Sequence, residues 1–224
     1  DWYEDNLPDD MCVLIGNKNV GHFCQLLMGL FGYENLCYQL YDNRALVKAV
    51  SQKLAEINEK MMKIFMSFRR VKMIFVADDM GFRSGTLISP DDLREFVIPA
   101  HKTIAEIAHA HNIPYLLHSC GDIEVVIDDL INDVKIDGKH SFEDNIILIS
   151  EAQKQYGDKI ALLGGIDMDF LCRADEKTIR QRVRKTIELF NGTGGFCLGT
   201  GNSVANYIPL DNYLIMLDEG RNFV

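Results

Sequence analysis

The chain has 224 residues, and its 23 lysines and arginines against 33 aspartates and glutamates leave a formal net charge of −10. So acidic a chain lacks the positive field that draws phosphate backbones, which argues against nucleic acid and anionic membrane as partners. Its 47% hydrophobic content is enough to build a core, and no apolar run reaches the roughly 20 residues needed to cross a bilayer.

In chain order, the segment Met11–Gly16 reads as a buried strand. Gly21–Tyr41 is expected to be helical in two pieces, broken near Gly32. Asn43 is placed to cap a long helix whose apolar positions Leu46, Val47, Val50, Leu54, Ile57, Met61, Ile64 and Phe65 recur at three- and four-residue steps. Val71–Ala77 is a strand that stops at Asp78-Asp79, followed by a glycine-bearing loop to Ser89. There Ser89 is a cap, Pro90 suits a first turn, and Asp91 and Asp92 suit its positive end, so a helix is expected to about His111. Further on, the pattern predicts strands at Ile113–His118, Val134–Asp137, Ile160–Leu163 and Gly195–Leu198. It predicts helices at Asp122–Asn132, Phe142–Tyr156, Asp175–Phe190 and Pro209–Glu219, the third rich in Lys and Arg on its outer face.

Six predicted strands alternate with helices, and the strands are nearly all apolar. That pattern implies a parallel sheet buried on both faces. An open doubly wound sheet and a (β/α) barrel both fit. No G-x-G-x-x-G follows the first strand, which weakens the dinucleotide-binding version. An eight-stranded barrel usually takes about 250 residues, so a barrel here would lack roughly two units. No linker, repeat or low-complexity segment divides residues 1–224, so a single, partial barrel domain is expected.

In either architecture functional groups gather where strands end. The candidates there are Asp78, Asp79, His118, Ser119, Cys120, Asp137, Lys139, His140, Asp167, Cys197 and Asn202. The helix histidines His101, His109 and His111 are read as solvated. In an extended chain, side chains two apart point the same way, so His118 and Cys120 can aim a nitrogen and a sulfur at one point, and Gly121 then frees the backbone to turn. With Cys197 from a later strand they would make an N/S₂ set suited to Zn²⁺, leaving a fourth position open. Each also has a plain reading, because a lone H-x-C and a lone strand cysteine are commonly core residues. The pair Asp78-Asp79 could share a proton, orient a cation or supply a metal ligand; equally, one could cap the loop. His140 could serve as acid or base, or hold a structural place. Asp167 could simply cap the backbone after its strand. The other cysteines, Cys12, Cys24, Cys37 and Cys172, read as reduced thiols of a cytoplasmic protein, since nothing in the sequence suggests a secreted disulfide scaffold and the opening DWYEDNLPDD is unlike a secretory leader.

Four stretches carry a family resemblance: the Asp78–Gly85 loop with Leu87-Ile88-Ser89-Pro90; His118-Ser119-Cys120-Gly121; Gly164-Gly165-Ile166-Asp167; and Gly194 through Asn202. Through them the chain, from about Val71 onward, resembles the uroporphyrinogen decarboxylase superfamily, in the branch of cobalamin-dependent methyltransferases. The resemblance implies a TIM-type (β/α)₈ barrel, here lacking its N-terminal units. It implies zinc held by His118, Cys120 and Cys197, whose spacing agrees with the H-x-C and distant cysteine of the zinc methyltransferases. It also implies methyl transfer with a cobalamin-carrying corrinoid protein as partner, and a small methylated substrate or thiol. His140 and Asp78 are then expected at the catalytic site, in substrate contact or support of the ligands, and a homo-oligomer is conceivable. The metal-free decarboxylases of the family carry an asparagine and a histidine where this chain has Cys197 and Thr200. Decarboxylation is therefore the alternative, and a non-catalytic, degenerate barrel a third reading.

Overall fold

The computed structural model describes residues 2–16, 20–192 and 195–223; Gly194, part of the last motif above, lies outside them. The chain divides into two compact units, the first ending at Asp137 and the second beginning at Gly138.

The first unit runs α1 (Trp2–Asn6), β1 (Val13–Gly16), α2 (Phe23–Phe31), α3 (Tyr33–Asp42), α4 (Arg44–Phe65), β2 (Val71–Ala77), β3 (Gly81–Phe82), β4 (Gly85–Thr86), α5 (Pro90–Phe96), α6 (Ile98–Ala110) and β5 (Tyr115–His118). Strand β2 pairs in parallel with β1 on one side and β5 on the other, with Ala77 opposite His118. The short β3 and β4 form an antiparallel hairpin inside the glycine loop. Ile74, Val76, Tyr115 and Leu117 of the strands and Ile104, Ala105 and Ala108 of α6 are buried, and α6 packs on α4. As the sequence indicates, Gly32 separates α2 from α3, adopting φ +78°, and the Asn43 side chain accepts the Leu46 N–H at the start of α4.

The second unit runs β6 (Gly138–His140), α7 (Ile149–Tyr156), β7 (Ala161–Ile166), α8 (Met168–Arg173), α9 (Glu176–Leu189), β8 (Phe196–Thr200) and α10 (Leu210–Asn222). Here β7 pairs in parallel with β6 and β8. Ile166, Met168, Leu171, Ile179, Val183, Ile208 and Met216 make its core. The basic face of α9 is partly spent on α10: Glu219, only 4% exposed, accepts from Arg180 Nη1 at 2.8 Å and from Arg184 Nε. The two arginines hold its carboxyl below the ordinary glutamate value.

Several expectations require correction. The helix foreseen from Ser89 to about His111 is two helices, interrupted at Val97. Pro99 is the reason: it cannot donate to the preceding turn, and its ring crowds the carbonyl four residues back, so the helix must start afresh. The helix expected at Asp122–Asn132 is replaced by a 3₁₀ turn at Glu124–Val126 and a π-helical turn at Asp129–Val134, closed by Lys135 in the left-handed region at φ 64°. That turn absorbs Val134, so the next strand lies at Gly138–His140 rather than Val134–Asp137. The helix expected from Phe142 begins only at Ile149, and β7 continues through Gly164-Gly165 instead of ending there. On α4 the buried face is Val47, Asn58 and Met62, whereas Leu46, Ile57 and Ile64 are 43%, 46% and 59% exposed. Apolar spacing marks a stripe, but the burial of Asn58, whose Oδ1 accepts the Gly21 N–H at 2.8 Å, shifts its centre.

Candidate functional site

At the C-terminal end of β2, two adjacent carboxylates have different fates. Asp78 is fully buried. Its Oδ2 accepts the Cys24 N–H and its Oδ1 the Gln25 N–H, at 2.9 and 3.0 Å, which satisfies the free donors at the start of α2. His101 Nε2 lies 2.9 Å from the same Oδ2, and His101 Nδ1 lies 2.7 Å from the Tyr115 hydroxyl. Burial and the Asp78 charge push the Tyr115 phenol upward. His101 is thus a fully buried strut between α6 and β2, not the solvated helix residue its position suggests. His109 pairs with Asp137 at 2.8 Å, and His111 is exposed.

Asp79, next along, turns toward the end of β5. Its Oδ1 accepts the Cys120 N–H at 2.8 Å and lies 3.5 Å from His118 Nε2. Its Oδ2 accepts from Gln25 Nε2 at 2.9 Å. The bond with His118, joined by that from Cys120, brings the Asp79 carboxyl down to about 2 against the opposing cost of burial, so it is ionised at neutral pH. His118 Nε2 and Cys120 Sγ stand 3.2 Å apart, on the same side of the extended chain as their spacing predicts. Between them Ser119 turns inward and its Oγ accepts the Met80 N–H at 3.1 Å. Gly121 follows at φ +80°, and a Cβ there would meet the Gly81 carbonyl carbon at 2.2 Å. The hairpin and the His-x-Cys turn therefore touch backbone to backbone, a closeness that only glycine permits.

One ligand atom each from Asp79, His118 and Cys120 lies within 4.8 Å of the other two, in a half-buried setting. A nitrogen, a sulfur and a carboxylate oxygen are the donors Zn²⁺ takes. The donor chemistry thus fits the metal that the resemblance implies.

The second unit treats its candidates differently. Cys197, on β8 opposite Leu163, is exposed. His140 Nε2 donates to the Thr200 carbonyl at 3.0 Å, and a Cβ on Gly164 would come within 3.2 Å of its ring. Asp167 caps α8 through the Phe170 N–H and also accepts the Asp144 N–H. Asn202 donates to Glu143. Lys139 is buried, its ammonium 2.7 Å from the Ser141 carbonyl and over the Phe142 ring. Asp137 precedes β6 and bonds the Tyr115 N–H at the start of β5, the end away from His118. Among the described residues no disulfide joins the cysteines, and no helix is long and apolar enough to cross a membrane.

Gln25, which touches both aspartates, was not visible in the sequence as a site residue. The signal pointing to it was indirect: two consecutive carboxylates at a strand end need donors, and the start of α2 supplies them.

Residues 22–223 match the uroporphyrinogen decarboxylase (URO-D) family. Over 141 residues, 62% of this chain and 35% of the relative, the sequence is 29% identical to a methylated-thiol–coenzyme M methyltransferase of Methanosarcina mazei. Among solved structures, one titled a methyltransferase from Methanosarcina mazei superposes with a TM-score of 0.72 at 20% identity, over 99% of this chain and 61% of that one. The chain thus spans about a third of the length of that curated relative. The structural likeness establishes the fold, α/β of the TIM-barrel type and incomplete, with three parallel strands in each unit.

Proposed function

The chain belongs to the uroporphyrinogen decarboxylase family, and from that premise we propose that it is a zinc-dependent methyltransferase working with a corrinoid protein. Its substrates are a small methylated compound, or a thiol that accepts the methyl group. The observation that carries this reading is the meeting of His118 Nε2, Cys120 Sγ and an Asp79 oxygen within 4.8 Å. The name of the methanogen relative supports the class of reaction. The ligands in this reading are His118, Cys120 and Cys197, with Asp79 beside them.

Zinc bound there supplies Lewis acidity, lowering the pKa of a coordinated thiol or polarising the heteroatom that a methyl group leaves. The chain's own residues do the rest. Asp79 holds the Cys120 backbone and stays anionic beside the His118 imidazole, which fixes the direction of both donors. Asp78 acts from the interior: by capping α2 it fixes the strand end from which Asp79 projects. His140, with its Nε2 proton committed to the Thr200 carbonyl, serves as a positioning group.

The test is metal analysis of the purified protein. About one zinc per chain is expected, and Cys120→Ser should lose it. Full retention of zinc in that variant overturns the ligand assignment. Turnover of a porphyrinogen by metal-free protein overturns the methyltransferase reading in favour of decarboxylation.

A further inference from the structure

Gln25 connects the two aspartates in an unusual way. Its main-chain N–H donates to Asp78 Oδ1, and its side-chain amide donates to Asp79 Oδ2. The direction of the amide is fixed by Asp79: an ionised carboxylate can only accept, so the NH₂ faces Oδ2, and Oε1, 2.9 Å from His22 Nδ1, accepts from a protonated Nδ1. Among the described residues buried His22 Nε2 has no hydrogen-bond partner, and His22 is engaged there through Nδ1. A directed chain results, in which His22 donates to Gln25, Gln25 donates to Asp79 Oδ2, and the Cys120 N–H donates to Asp79 Oδ1. Both Asp79 oxygens are thereby oriented, and Oδ1 is the one facing His118.

We propose that Gln25 is a positioning residue for the metal centre: it holds the Asp79 carboxylate in the one rotamer that serves His118 and Cys120. This rests on the metal reading given above. Gln25 acts through Asp79, as the outer partners of metal ligands do. Without it, Asp79 loses its only side-chain amide donor among the described residues, turns more freely, and ceases to restrain the Cys120 backbone.

The experiment is a Co²⁺ titration of the full chain, read by visible absorption. The proteins compared are wild type, Gln25→Met, Asp79→Ala and the double variant, with far-UV circular dichroism confirming the fold. Gln25→Met keeps side-chain length and helix propensity while removing the amide; Gln25→Ala is the second choice should it fold poorly. The expected result is an affinity about 10-fold weaker for Gln25→Met, as is usual when the outer partner of a ligand is lost, with shifted d–d bands. In the Asp79→Ala background the same substitution should change little, because its target is gone. Wild-type affinity and spectrum in Gln25→Met overturn the assignment, and so does an equal loss in both backgrounds, which would mark a merely structural effect. Wild-type protein that takes up no Co²⁺ overturns the metal reading itself, a result distinct from the other two.

Discussion

The two units carry similar polar side chains near their strand ends and spend them differently. In the second, His140, Asp167, Asn202 and Lys139 are each engaged by a nearby carbonyl, backbone N–H or carboxylate within that unit. In the first, Asp79, His118 and Cys120 converge on one another, Asp79 also accepting the Cys120 N–H, while their neighbours Asp78 and Ser119 take the backbone donors of Cys24, Gln25 and Met80. A strand-end residue is thus freer for chemistry when an adjacent residue takes up the backbone donors of neighbouring segments. The alternation Asp78/Asp79 and Ser119/Cys120 is that arrangement, repeated on two paired strands.

The sharpest way to break the contrast is to remove a structural member. Asp78→Ala would strand the Cys24 and Gln25 amides and His101 without their acceptor; at about 1–3 kcal/mol for each buried group left unsatisfied, the loss should be about 3 kcal/mol or more. Urea denaturation measures it; a loss below 1 kcal/mol would show that Asp78 is not the interior anchor. Next in size, Gly121→Ala must relieve a 2.2 Å approach to the Gly81 backbone at a positive φ. A cost of about 1–3 kcal/mol is expected, with displacement of the neighbouring Cys120. Unchanged stability and unchanged Cys120 alkylation in that variant would mean the turn does not depend on the close approach. The smallest effect belongs to the second unit. The Glu219 carboxyl is held low in the folded state by Arg184 and Arg180. Its contribution is therefore present above the ordinary glutamate pKa and lost as the pH falls through the lowered folded value. Glu219→Gln should flatten the acid limb of the stability curve and leave the neutral-to-alkaline shape unaltered; an acid limb as steep as wild type would remove this pair from the account.

Much of this was legible in the residues. The caps at Asn43 and Ser89, the break at Gly32 and the strand Val71–Ala77 all declare themselves by local chemistry, and the H-x-C spacing places its two donors on one side because strand geometry leaves no other choice. What stayed hidden depends on partners far along the chain. Strand β6 reads Gly-Lys-His, a polar string, and becomes a strand by pairing with β7; its lysine is buried because the Ser141 carbonyl and the Phe142 ring receive the ammonium. His101 looks like a surface helix residue until Asp78 and Tyr115 are seen on either side of it. The division of labour between Asp78 and Asp79 is likewise invisible in two identical letters, since which carboxylate faces inward depends on where α2 begins.

The adjacency of those two aspartates has a practical corollary for protein engineering. A single peptide unit separates the brace in the interior from the donor beside the solvent, so the aim of the donor is dictated by a helix start more than fifty positions earlier in the chain. Transplanting His118, Cys120 and Asp79 onto a foreign scaffold would carry the atoms and lose their aim. The smallest portable version of the cluster includes the first turn of α2 as well.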